Sequence, residues 1–92
     1  MTMHGAKCIA KTIMDGIKDT FMQIDYAERA KEHGEHELMQ MHRQEAMNRF
    51  EALKRWKSYA ERDFGKDPMG EIMLEHWEDK MHEIDQHLMH LN

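Results

Sequence analysis

The sequence predicts an all-α protein, a three-helix antiparallel bundle in up-down-up order, completed by homodimerisation. Three observations carry that expectation. Residues 35–64 form a run of thirty with no Gly and no Pro, rich in strong helix formers. Apolar residues recur at helical spacing along nearly the whole chain. Two points of punctuation, Gly34 and Phe64-Gly65-Lys66-Asp67-Pro68, divide it into three such runs. Ninety-two residues make one domain, 1–92, with helices expected at about 5–33, 35–64 and 68–89.

The first helix carries the stripe Ala6, Ala10, Ile13, Ile17, Phe21, Ile24 and Glu28, with Met14, Thr20 and Ala27 on its edges. Gly16 lies inside it at a cost of about 1 kcal/mol against Ala, so either a neighbouring helix approaches closely there or the helix bends. Lys31-Glu32-His33-Gly34 reads as a helix end, with Gly34 in the left-handed position and basic residues at the negative end of the dipole. So short a connection makes helices one and two antiparallel neighbours. The competing reading is a single helix running straight through Gly34, which glycine tolerates at a penalty.

The second helix opens on the acidic Glu35 and Glu37. Its stripe is Met39, His42, Ala46, Phe50, Leu53, Trp56, Ala60 and Phe64. Gly65 ends it, Asp67 caps the third helix, and Pro68 takes that helix's first position. The third stripe is Met73, Trp77, Met81, Ile84, Leu88 and Leu91.

Composition narrows the function. The formal charge of −5 argues against nucleic-acid binding, which needs a cationic face, and against docking on anionic membrane. No apolar run is long enough to span a bilayer, and the start lacks the regions of a signal peptide. A single cysteine, Cys8, makes no internal disulfide and fits a reducing, cytoplasmic setting. The thin apolar stripes favour a homo-oligomer, most simply a dimer. Eleven methionines read as flexible core filling. No phosphate loop, zinc-finger spacing or dinucleotide fingerprint occurs, and Cys8 has no positioned base nearby in sequence.

The one chemical candidate lies across the hairpin. His42, Glu45 and Arg49 share a ridge of the second helix, and Glu28 falls within the first stripe. A bend at Gly34 is expected to bring Glu28 and His42 to the same height, with Glu45 one turn deeper. Glu and His on facing helices suit a carboxylate-type metal site. The bland alternative is a salt-bridge and hydrogen-bond network closed by Arg49, fixing register without a metal. In the third helix Glu83 and His87 are spaced to share an ion, although Lys80 beside them repels cations.

The stretch Asp25–Arg49, DYAERAKEHGEHELMQMHRQEAMNR, resembles the first hairpin of small ferritin-like bundle proteins, over about half the chain. The resemblance implies Glu28 as first-helix carboxylate ligand and Glu45 as second-helix ligand, with iron, manganese or zinc as the metal and dimerisation completing the bundle. The family's Glu-x-x-His is reversed here, His42-Arg43-Gln44-Glu45, and Asn48 stands where the histidine belongs. The spacing of Gly34, Ala46 and Phe50, with Ala27 and Ala30, also looks like the helical hairpins of tetratricopeptide-type and microtubule-interaction-and-transport-type modules, which assemble or bind peptides. The leading expectation is a non-enzymatic interaction or assembly protein with no cofactor and an unspecified protein partner. The metal-binding dimer is the alternative.

Overall fold

The computed structural model describes the backbone of residues 3–64 and 66–91, and the side chains of these from residue 8 onward. Among the described residues it is an antiparallel bundle of three helices: α1 (Met3–Glu32), α2 (His36–Phe64) and α3 (Pro68–His90). The molecule measures 47 × 20 × 15 Å. Its length is that of α1, since thirty residues rise about 45 Å. The expected places of Ala6 in the first stripe and of Gly65 at the end of α2 lie outside the described residues.

The chain turns back at Gly34. Its φ of 73° is left-handed, the only positive φ among the described residues. The Gly34 N–H donates to the Lys31 carbonyl at 3.1 Å, and the Glu35 N–H to the Ala30 carbonyl at 2.9 Å. That pair of bonds is the Schellman arrangement, which satisfies the last carbonyls of α1 and reverses the chain. The straight-through helix is thereby excluded.

The second turn works as its residues dictate. Asp67 is the N-cap of α3, with its carboxylate accepting from the Met69 N–H at 3.2 Å and Pro68 following it. Gly70, in the first turn of α3, lies directly against the Phe64 carbonyl, where any Cβ would collide with backbone. Gly70 is therefore required by close approach, a requirement the sequence alone left unseen.

The core is one cluster drawn from all three helices, including Ile13, Ile24, Leu53, Trp77, Ile84 and Leu91. Thr20 is fully buried within it, and its hydroxyl donates back to the Gly16 carbonyl at 2.6 Å. A Cβ on Gly16 would stand 2.7 Å from Leu53 Cδ2, so the close approach of a neighbouring helix expected there is real. The α1–α2 pairing is the most extensive, and α3 rests more on α2 than on α1.

Each stripe needs correction; on α3 the buried line opens on Gly70 and Leu74, with Met73 only half-buried beside it. Along α1 the buried line steps from Ile24 to Ala27 and Ala30, so Glu28 sits one position round, on the flank next to α3. Small side chains let the helices close tightly beside the turn, and that selects the three-residue step over the four-residue step. Along α2 the line runs from Leu53 to Ala60, and Trp56 is 38% exposed. The aliphatic stem of Lys57 lies inward instead, with its ammonium reaching Glu61 at 2.8 Å and Glu78 at 3.0 Å.

Candidate functional site

Glu28 and His42, expected to meet, take different partners on different seams of the bundle. His87 Nδ1 donates to Glu28 Oε1 at 3.0 Å, joining α3 to α1, and the Phe21 ring packs edge-on against His87. One turn further along, Lys31 Nζ donates to the His90 carbonyl at 2.9 Å. A lysine of α1 thus satisfies the negative end of α3, rather than that of its own helix.

His42 faces the other way. Its Nδ1 donates to Gln23 Oε1 at 2.7 Å, and its ring leans on Tyr26 with centroids 5.3 Å apart. Arg49 forms an ion pair with Glu45 at 3.2 Å and also reaches Asp19 at 3.7 Å. The Nε of Arg49 is buried and finds no acceptor. The polar network expected on α2 therefore exists in two pieces, His42 with Gln23 and Arg49 between Asp19 and Glu45, and Glu28 belongs to neither.

The remaining candidates are also placed. Glu83 pairs with Lys80 at 3.5 Å, while His87 is engaged by Glu28. Among the described residues no group of three or more His, Cys, Asp or Glu is arranged to hold a metal ion. Glu28 and His87 bring together one member of each expected ligand set, from two helices. Two ligands fall short of the four that zinc takes.

What the α1–α2 hairpin does carry is a continuous outer seam on the side away from α3. Tyr26 and His42 lie towards the turn, and Asp19, Arg49 and Glu45 lie at mid-length. Beyond them a shallow groove is lined by Thr12, Gly16, Ala52 and Trp56. The Trp56 ring meets Tyr59 edge-on, with centroids 5.9 Å apart. Tyr26, Leu38, Met41, Trp56 and Tyr59 are between 38% and 60% exposed. They are half of the ten large apolar side chains exposed among the described residues. The α1 half of the seam is the row Thr12, Gly16, Asp19, Gln23, Tyr26, a four-three alternation readable beside the main stripe.

Two of the grooves that flank α3 contrast in charge. One, lined by Met14, Ile17, Trp77, Lys18, His76 and Lys80, has an apolar floor and a cationic rim. The other carries Glu61, Glu71, Glu75 and Glu78 around Leu74. No helix of the described residues is long and apolar enough to cross a membrane. Set against family models, curated proteins and solved structures, the chain finds no match in any of the three comparisons.

Proposed function

We propose that this chain is a small helical assembly protein that acts through the packing of helix faces, with a second copy of itself as its first partner and no reactive group of its own. The observation that carries the reading is the set of exposed apolar side chains on the hairpin, with Tyr26, Trp56 and Tyr59 beside the outer α1–α2 seam and Leu38 and Met41 in a cleft at the start of α2. Aromatic residues and methionine are the types enriched where proteins meet. A core this thin also leaves stability to be gained by association. Multi-angle light scattering tests it. The expected mass is about twice the 11.1 kDa of one chain. A mass of one chain at all concentrations would refute it.

A second reading, metal binding in a ferritin-like dimer, is favoured by one observation, the carboxylate and imidazole of Glu28 and His87 brought together from two helices. Such a site would draw its remaining ligands from water or from a second copy, with iron, manganese or zinc as the ion. Metal analysis of untagged protein, followed by titration of wild type, His87→Ala and Glu45→Ala, separates the readings. The metal reading requires stoichiometric binding that His87→Ala abolishes. The assembly reading predicts no stoichiometric metal.

A further inference from the structure

We infer that the outer α1–α2 seam is a two-fold interface, occupied by a second copy of this chain lying antiparallel to the first, with the symmetry axis passing through the Asp19–Arg49–Glu45 cluster. The inference rests on the self-association reading and adds to it the face and the symmetry.

The first argument is the spacing of apolar groups about that cluster. An isologous interface needs a surface complementary to itself, so what lies one way from the axis must suit what lies the other way. Tyr26 stands seven residues from Asp19 towards the turn, and Trp56 seven residues from Arg49 away from it. At the helical rise, each lies about 10.5 Å from the cluster. Leu38 and Tyr59 lie eleven and ten residues from Arg49 in opposite directions, or roughly 15–16.5 Å. An antiparallel copy therefore brings Tyr26 to the height of Trp56 and Leu38 to the height of Tyr59, and the reverse, so apolar groups gather at both ends of the interface. The floor between them is low, because Gly16, Thr12 and Ala52 are small.

The second argument is area. The molecule exposes 6443 Å². A folded monomer of its mass typically exposes about 5,700 Å². The surplus of roughly 700–800 Å² is close to what each partner buries in a standard interface, about 800 Å².

The third argument is charge. Each copy carries a net −5, so association requires a face whose own charges are partly neutralised. At the seam Arg49 already lies between two carboxylates. The apolar groove between α1 and α3 has Lys18, His76 and Lys80 on its rim and no carboxylate among its lining residues, so it offers an isologous copy no opposite charge within the groove. With the seam paired, two hairpins build a four-helix core and the α3 helices lie outside it.

Sedimentation equilibrium of four proteins tests the inference: wild type, Ala52→Arg, Tyr59→Glu and Ile72→Glu. All three positions are exposed, so no variant disturbs the core, and circular dichroism verifies the fold of each. The expected result is a dimer in wild type, a dissociation constant raised about tenfold or more in both seam variants, and a change within about twofold for Ile72→Glu. A wild-type dimer that Ala52→Arg and Tyr59→Glu leave intact would overturn the assigned face while self-association stands. A wild type that stays monomeric would remove both.

Discussion

Single residues decide how sharply this chain turns and how its charges are held. Replacing Gly34 by Ala forces a Cβ into a left-handed conformation and is expected to cost about 1–2 kcal/mol in urea unfolding. Gly70→Ala drives a methyl group into the Phe64 carbonyl and is expected to cost about 1–3 kcal/mol. Gly16→Ala meets only the end of the Leu53 side chain, and its gain in helix propensity of about 1 kcal/mol offsets the contact. The same denaturation series therefore ranks Gly70→Ala as far more harmful than Gly16→Ala. Lys57 gives a pH signature. Burial works against its charge, but hydrogen bonds to Glu61 and Glu78, with the charges of both, outweigh burial and raise its pKa above the usual 10.5. A raised folded value means the contribution is complete below the unfolded value and lost as pH climbs through the folded one. The stability gap between wild type and Lys57→Gln should thus be steady at neutral pH and close above about pH 10.5.

At the scale of elements, the hairpin is the firm part of the molecule and α3 the looser one. The α1–α2 pairing is the most extensive, whereas α3 is tied to α1 at its far end by the exposed Glu28–His87 pair and by Lys31 on the last carbonyls. Native-state hydrogen exchange should therefore find α3 amides opening at lower free energy than those of α1 and α2. Equal protection throughout would contradict this. Asp67→Ala, which removes the cap of α3, is expected to cost about 0.5–2 kcal/mol and to widen that difference.

The helices were readable because each boundary is written in local chemistry: Gly34 with basic residues before it, and Asp67-Pro68 at the start of α3. The partners of Glu28 were not readable. Steps of three and of four both keep helical phase, and only the tight closure at Ala27 and Ala30 chooses between them. Half a face of error sent Glu28 towards α3 and His87 rather than towards His42. The polar row on α2 was visible, yet its partners Asp19 and Gln23 on α1 emerge only once the helices are set in register.

For the whole molecule, the proposed dimer would join the sequence pattern to a use through the outer seam. Its apolar groups lie at matching heights on either side of a polar centre. In the proposed dimer the polar centre would set register more than strength, because an exposed ion-pair cluster of this kind adds little net stability. The most direct test is pulsed dipolar spectroscopy on a Cys8→Ser background, with single spin labels at Asn48 or at Arg62. Asn48 lies beside the proposed axis, and Arg62 lies thirteen residues from Arg49, or about 20 Å along the helix. The antiparallel dimer predicts a short distance between the two Asn48 labels and a separation near 40 Å or more between the two Arg62 labels. Equal distances at the two positions, or no dipolar signal at either, would contradict it.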